Sequence, residues 1–246
     1  MDIDEKFLKE FVKVTQQASI ATLSKIGKKD KKEVDKLATN AMRKVLNNIK
    51  MRGRVVIGEG EIDEAPMLYI GEILGKEKSP EIDIAVDPLE GTNFAANNQP
   101  GALSVIAASY KNNLLNAPET YMNKIAYGSN IEKDVIDLDY NFSKNVKNLA
   151  DFKNKKLEEI TICILDRARH KEIIEEAKKL KLKTKLISDG DVSGALLVTD
   201  KKYEVDLFLG VGGGPEGVLA ACALDAYNCG FQGKFIFDDD ISKKRA

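Results

Sequence analysis

Two carboxylates in this chain are spaced to meet at the end of a strand. Asp87 ends the apolar run 82–86, and Glu90 follows it three positions later. Pro88 ends the run because it has a fixed φ and no N–H donor, and Gly91 lets the backbone approach a bound group closely. Two carboxylates about 4 Å apart repel by roughly 4 kcal/mol at an effective dielectric of about 20. We therefore expect a proton or a hard cation between them, and oxygen ligands favour Mg²⁺ or Mn²⁺. An acidic turn between a strand and a helix is the alternative.

Glu59 and Asp35 are further candidate ligands. Glu59 lies between two glycines directly after the strand predicted at 54–57. A tight turn is the alternative, but Glu59 and Asp87 both end neighbouring apolar strands, which favours a shared site. Asp35 borders the apolar stripe of a predicted helix, where an acid needs a partner. A metal ligand and a surface charge are equally compatible with that position.

A glycine-rich segment at 210–217 follows one predicted strand and opens a helix. Backbone N–H groups in such a segment can bind an anion. Its acid, Glu216, would repel phosphate unless it binds a cation or caps the helix. The glycines also satisfy the G-x-G-x-x-G dinucleotide pattern, with Asp238 about twenty residues further on. The acid inside the loop and the lack of a following second mononucleotide half disfavour that alternative.

Charged loops follow two other predicted strands. The loop 167–169 contains two arginines, which suit bidentate phosphate binding, although a solvated helix start is the alternative. The loop 189–191 contains two aspartates that could bind sugar hydroxyls, or form a turn in which Asp191 is a helix N-cap. Tyr121 is a loop aromatic that indicates little by itself.

Strand–helix alternation predicts an α/β layered fold. Helices are predicted at 7–18, 30–46, 65–74, 170–180, 192–198 and 215–226. Strands are predicted at 54–57, 82–86, 102–109, 123–127, 160–165, 184–187, 205–209 and 234–237. The lysine- and asparagine-rich stretch 129–157 carries the least pattern. We therefore expect an N-terminal α+β subdomain at 1–128, a connecting segment at 129–157 and a C-terminal α/β subdomain at 158–246.

Composition disfavours several classes of function. The chain has 246 residues with 38 basic and 39 acidic side chains, so its net charge indicates neither a nucleic-acid nor a membrane partner. The start is too charged for a secretory signal, and no apolar run is long enough to span a bilayer. The three cysteines predict reduced thiols in a cytoplasmic protein. One histidine, His170, leaves little scope for a Ser-His-acid triad.

Four segments together resemble a known family, the class II fructose-1,6-bisphosphatases of bacteria. These segments are 56–72, 87–92, 116–118 and 214–217. The family belongs to the lithium-sensitive, inositol-monophosphatase-like phosphatases, and the likeness runs from about residue 7 to residue 237 with the motifs in family order. The resemblance implies an α-β-α-β-α layered sugar-phosphatase fold. Family chains continue with further strands and helices, so we expect the second subdomain to be incomplete in this chain.

The resemblance also implies roles for individual residues. The implied ligands of Mg²⁺ or Mn²⁺ are Asp35, Glu59, Asp87, Glu90 and Glu216. The implied substrate contacts are Glu90, Gly91, Thr92, Tyr121, Arg167, Ala168, Arg169, Asp189, Gly190, Asp191 and Gly213. The implied catalytic residues are Thr92, Asp87 and Glu59. Family members often have lysine where Arg167 stands, and arginine keeps the charge with a different geometry.

The implied reaction is metal-dependent hydrolysis of the 1-phosphate of fructose 1,6-bisphosphate to fructose 6-phosphate, a step of gluconeogenesis. Sedoheptulose 1,7-bisphosphate is an alternative or additional substrate. We expect a cytoplasmic homo-oligomer without nucleic-acid or membrane partners. Two alternatives stay open at this point: a non-catalytic short form that binds metal and sugar phosphate, and a dinucleotide-binding protein.

Overall fold

The computed structural model describes residues 3–60, 67–132 and 134–237. The chain divides into two compact units, Met1–Glu119 and Thr120–Ala246. Each unit has a mixed β-sheet and helices, so the predicted α/β fold class is confirmed. In the described part of the chain, no helix combines the length and apolar character needed to cross a membrane.

The described residues of the first unit form a four-stranded sheet and three α-helices. Its helices are α1 (Lys6–Thr22), α2 (Lys31–Leu46) and α3 (Thr92–Ala96). Its strands are β1 (Arg52–Ile57), β2 (Ile73–Leu74), β3 (Glu81–Glu90) and β4 (Leu103–Tyr110). The strand order is β2-β1-β3-β4, with β1 and β3 parallel and the outer pairs antiparallel.

The core of the first unit forms between α1, α2 and the sheet. Both helices bury residues at the spacing of one helical face, as the sequence predicts. These residues are Phe7, Phe11, Val14 and Ala18 in α1 and Val34, Ala38, Met42 and Leu46 in α2. Asp30 is the N-cap of α2, because its carboxylate accepts a hydrogen bond from the Glu33 N–H at 3.1 Å.

An irregularity at the end of β3 determines where its acids point. Asp87 pairs with Val105 of β4, and Glu90 pairs with Leu103, so three steps on β3 match two on β4. In a regular strand, residues three apart face opposite sides of the sheet. The extra residue around Pro88 is a β-bulge that brings both acids to the same side.

The prediction of a helix at 65–74 is wrong for residues 67–74, which the structure describes. Residues 67–72 form bends and turns, and Ile73–Leu74 is the short edge strand β2. Leu68 and Gly71 have φ values of 56° and 91°, which are incompatible with a helix. The buried Glu72 carboxylate accepts a hydrogen bond from the Leu68 N–H, which stabilises the non-helical turn. Ala65 and Pro66 lie outside the described residues.

In the part of the second unit that the structure describes, there are a five-stranded sheet and four α-helices. Its helices are α4 (Phe142–Phe152), α5 (Lys171–Lys179), α6 (Asp191–Leu196) and α7 (Gly214–Ala226). Its strands are β5 (Tyr121–Tyr127), β6 (Thr161–Leu165), β7 (Lys183–Ile187), β8 (Leu207–Gly213) and β9 (Gly230–Ile236). The order is β7-β6-β8-β5-β9, with β6 parallel to β7 and β8, and β5 antiparallel to β8 and β9.

The division between the units falls before the segment predicted to connect them. Strand β5, expected in the N-terminal subdomain, pairs along its length with β8 and β9 of the second unit. The stretch 129–157 lies inside that unit and contains α4, which the sequence analysis missed. Helix α4 buries Val146, Leu149 and Ala150, and this short apolar stripe is obscured by the lysines and asparagines around it.

Candidate active site

Three acids in the first unit act on one another electrostatically. Asp35 lies in α2, Glu59 follows β1 and Asp87 lies near the end of β3. The pKa of Glu59 is raised to about 8, first by burial and then by the charges of Asp35 and Asp87. A side-chain hydrogen bond with Thr39 partly opposes it. Burial also raises the pKa of Asp35. Ionised carboxylates are therefore disfavoured here in the absence of a cation.

The three acids fit a divalent cation by their chemistry. A buried carboxylate beside two like charges is stabilised in its ionised form by a nearby cation, and oxygen ligands suit Mg²⁺ and Mn²⁺. Among the described residues, no group of three or more Asp, Glu, His or Cys side chains is arranged closely enough to hold a metal ion. The three carboxylates repel one another, and this repulsion explains why they do not converge on a single point.

The segment 87–92 forms a tight turn from β3 into α3. Asp87 Oδ1 accepts a hydrogen bond from the Leu89 N–H at 3.0 Å, which fixes the carboxylate at the bulge. Gly91 is the N-cap of α3 with a φ of 73°, a left-handed conformation that favours glycine. Thr92 Oγ1 donates to the Leu89 carbonyl at 2.9 Å, so its lone pairs remain able to accept a hydrogen bond. Glu90 is almost fully buried.

The predicted substrate residues of the second unit lie at one edge of its sheet. Strands β6, β7 and β8 are parallel, so their carboxyl ends meet at that edge. The loop 167–169 follows β6, the loop 189–191 follows β7, and Gly213 ends β8. Tyr121 begins the antiparallel β5 and pairs directly with Gly213. Carboxyl ends of parallel strands are common ligand sites in α/β proteins.

Direct contacts link these residues. The Arg169 guanidinium lies over the Tyr121 ring, 5.3 Å from its centroid, and Arg169 Nε donates to the Val211 carbonyl at 2.8 Å. Arg167 approaches the Asp189 carboxylate at 3.4 Å. Tyr121, which indicated little from sequence, is therefore placed by an arginine that the sequence singled out.

One alternative from the sequence was that Asp191 is the N-cap of α6, and the structure shows that it is not. Gly190 is the N-cap with a φ of 86°, and Asp191 is the first helical residue. The Asp191 carboxylate instead contacts the ammonium of Lys124, which also donates to the Gly213 carbonyl at 2.7 Å. This pair leaves the carboxylate fixed at the sheet edge.

Lys124 was missed by sequence reasoning. Only 1% of the residue is exposed, although lysine is rarely fully buried unless paired. It lies on β5 two residues from Met122 and from Ala126, both buried. Side chains alternate between the two faces of a strand, so the sequence places Lys124 on the same buried face as Met122 and Ala126. A lysine on a buried face was the available signal. Thr39 and His170 were likewise not recognised as parts of a polar site.

Glu216, the fifth predicted ligand, belongs to the second unit. It lies in the first turn of α7, whose N-cap is Gly213 and whose start contains Pro215. A Cβ atom on Gly213 would clash with the Glu216 carboxylate, so the glycine permits this close approach. The structure thus places Asp35, Glu59 and Asp87 within electrostatic range of one another in one unit. In the other unit it places the arginine, tyrosine and aspartate positions at one edge of the sheet.

Comparison with known proteins identifies the family. A sequence model of the family described as bacterial fructose-1,6-bisphosphatase, glpX-encoded, matches residues 5–246. The chain belongs to this bacterial fructose-1,6-bisphosphatase family. Membership confirms the resemblance drawn from the four sequence segments.

The chain is similar to several cyanobacterial proteins. They are named D-fructose 1,6-bisphosphatase class 2/sedoheptulose 1,7-bisphosphatase. The protein of Synechocystis sp. is 42% identical over 246 residues, covering 95% of this chain and 71% of the relative. A Synechococcus sp. protein is 42% identical over 241 residues, covering 98% of this chain and 72% of the relative. The family is one of metal-dependent phosphatases.

Proposed function

We propose that this chain hydrolyses the 1-phosphate of fructose 1,6-bisphosphate, giving fructose 6-phosphate and inorganic phosphate. Sedoheptulose 1,7-bisphosphate is proposed as a second substrate, since the names of the relatives include both activities. The observation that carries the proposal is the cluster of Asp35, Glu59 and Asp87. Their burial and mutual repulsion raise the pKa of Glu59 to about 8, which makes this a position where a divalent cation stabilises the fold and the charge.

The proposed ligands of Mg²⁺ or Mn²⁺ are Asp35, Glu59, Asp87, Glu90 and Glu216. When bound, such an ion neutralises phosphate charge and lowers the pKa of a bound water. The bulge in β3 supports the pairing of Asp87 with Glu90, because it directs both side chains to the same side of the sheet.

Thr92, Asp87 and Glu59 are the proposed catalytic residues. Thr92 Oγ1 already donates to the Leu89 carbonyl, so its oxygen is free to accept a hydrogen bond from the attacking water and orient it. We assign the ionised Glu59 carboxylate to support Thr92 by accepting the water proton. The N–H groups of Gly91 and Thr92 bind phosphoryl oxygens.

The proposed substrate contacts of the second unit lie at the carboxyl edge of its sheet. Arg167 and Arg169 bind the distal phosphate, with the backbone of Ala168 between them. Asp189, Gly190 and Asp191 bind the sugar hydroxyls, and Asp191 is held for this by Lys124. Tyr121 and Gly213 complete the contacts. We further infer that the protein is a cytoplasmic homo-oligomer. Light scattering of the purified chain tests the oligomeric state.

Phosphate release from fructose 1,6-bisphosphate tests the proposal. We expect release with Mn²⁺ or Mg²⁺, none with a chelator in excess, and recovery when metal is restored. The same assay with sedoheptulose 1,7-bisphosphate tests the second substrate. A folded sample that binds fructose 6-phosphate without releasing phosphate from either bisphosphate would contradict catalysis and support a binding role.

A further inference from the structure

His170 is fully buried and uses both ring nitrogens. Nδ1 lies 2.7 Å from the Leu165 carbonyl, and Nε2 accepts a hydrogen bond from the Val211 N–H at 2.8 Å. A carbonyl oxygen can only accept and a backbone N–H can only donate. The ring must therefore carry its proton on Nδ1 and keep Nε2 unprotonated, which is the neutral imidazole.

The surroundings of His170 favour this neutral form. Burial lowers the pKa of the imidazole, and the positive charge of Arg169 acts in the same direction. The hydrogen bond to Leu165 and the charge of Asp191, at the start of α6, act in the opposite direction and do not outweigh burial. Protonation at Nε2 would remove the acceptor of the Val211 N–H.

His170 occupies the place where β6 diverges from β8. The parallel pairing of these strands is registered at Ile162 with Leu207 and at Cys163 with Phe208. Further along β8, the N–H of Val211 bonds to His170 and its carbonyl accepts from Arg169 Nε at 2.8 Å. Two consecutive side chains of the loop therefore hold both polar groups of one β8 residue.

Gly210 is adapted to this contact. Its φ is 148°, and a Cβ atom at this position would lie 2.9 Å from His170 Nε2. A larger residue would displace the imidazole from the strand. The close contact between the imidazole and β8 therefore depends on the hydrogen bond of His170 and on the missing side chain at Gly210.

We propose that neutral His170 is a positioning residue that holds Arg169 against the end of β8 so that its guanidinium binds the distal phosphate of the substrate. Arg169 keeps its Nε on Val211 and its ring contact with Tyr121, which leaves its remaining N–H donors for an anion. The role rests on the proposed function. The imidazole itself touches neither substrate nor reacting atoms.

Two substitutions separate this role from simple space filling. In His170→Gln, the side-chain carbonyl can accept from the Val211 N–H and cannot be protonated, whereas His170→Leu fills the space without an acceptor. We expect the leucine variant to raise KM about tenfold or more with kcat within about threefold, since tenfold corresponds to about 1.4 kcal/mol. The glutamine variant should stay within about threefold of wild-type KM. Equal KM in both variants and wild type would overturn the proposal.

The pH profile gives a readout that a purely structural role would not move. In the wild type, KM should rise as the pH falls through the lowered pKa of His170, because the protonated ring loses the Val211 contact. The glutamine variant lacks this titration but shares the titration of the substrate phosphate, so the difference between the two profiles isolates His170. Parallel profiles would count against the proposal.

The sequence contains a single histidine, so histidine NMR signals of an untagged chain belong to His170. We expect ¹⁵N spectra at pH 7 to show the neutral tautomer with the proton on Nδ1, and a doubly protonated ring there would overturn the proposal. If the wild type released no phosphate, the proposed function would fail. The positioning role would then be read from calorimetric binding of fructose 6-phosphate, where unchanged affinity in the leucine variant refutes it and a tenfold loss supports it.

Discussion

Buried acids occur in both units, but the units treat their charges differently. In the first unit, burial and the neighbouring acids Asp35 and Asp87 raise the pKa of Glu59 to about 8. In the second unit, burial also acts to raise the pKa of Asp206, yet hydrogen bonds from Lys153, Lys155 and the Thr161 N–H outweigh it and the pKa is lowered. The two lysines lie 2.7 and 2.8 Å from Asp206 Oδ1.

The contrast separates two uses of a buried carboxylate. Asp206 joins the loop before β8 to the segment after α4 and receives its positive charges from the chain. Asp191, paired with Lys124, follows the same principle. The Glu59 cluster places acid beside acid, which is stable only with protons or a bound cation. Local counter-charge therefore distinguishes a structural acid from a candidate metal ligand.

The largest expected effect comes from comparing two aspartates of β3. Asp87→Asn should lower phosphate release by at least about 10³-fold, because a lost ligand forfeits several kcal/mol of charge stabilisation. Asp83→Asn is the matched control, since Asp83 is buried and paired with Arg54 at 2.9 Å. It should lower the free energy of unfolding by about 1–3 kcal/mol and leave kcat nearly unchanged. The reverse pattern would show that Asp83, not Asp87, serves catalysis.

Lys124→Met tests the counter-charge of the second unit. The substitution preserves most of the side-chain volume but leaves Asp191 without its ammonium, so unfolding free energy should fall by about 3–5 kcal/mol. Urea denaturation measures the loss. The double variant Lys124→Met with Asp191→Leu should recover part of it, because no isolated charge remains. Additive losses in the double variant would argue against direct coupling.

The stability of the metal-free protein should fall as pH rises from about 4.5 to about 8. Over this window the unfolded chain has released the Glu59 proton while the folded chain retains it, since the folded pKa is about 8 and the ordinary value is 4.5. The free energy of unfolding therefore falls by a few kcal/mol across this range. Thermal melts with chelator across this range measure the slope. Mn²⁺ should flatten the slope, and a slope unaffected by Mn²⁺ would separate Glu59 from the metal.

Asp206 should show the opposite sign with a smaller effect. Its folded pKa is lowered, so its contribution is present above the ordinary value of 3.8 and is lost as pH falls through the folded value. Asp206→Asn should cost about 1–2 kcal/mol at neutral pH, because the lysines are partly exposed and regain water. The variant should also show a shallower acid limb in its unfolding curve. An unchanged acid limb would mean that other carboxylates govern acid unfolding.

Elements with a clear period were predictable, and those fixed by distant partners were not. Helices α1 and α2 follow from apolar residues on one face. Helix α4 was missed because its apolar stripe is short. The helix predicted at 65–74 failed because the buried Glu72 stabilises a turn, and propensity does not report such a contact.

The candidate site shows the same limit. Acids at strand ends were visible in the sequence because they interrupt apolar runs. The partners of Asp191 and Val211 were not, since Lys124 and His170 lie on other elements far along the chain. Strand pairing brings these residues together, and pairing partners follow from topology rather than from any local pattern.

The bulge of β3 makes the spacing of this segment intolerant of length changes. Deleting Pro88 or Leu89 would restore regular pairing with β4, and such a deletion would ordinarily relieve an irregular strand. Asp87 and Glu90 would then be two positions apart and would still face the same side of the sheet. The deletion would instead remove the turn in which Asp87 Oδ1 accepts from the Leu89 N–H and Thr92 Oγ1 donates to the Leu89 carbonyl. Lineages descended from this protein can therefore exchange residues here more readily than they can lose one, and alignments should show substitutions at 88–89 without gaps.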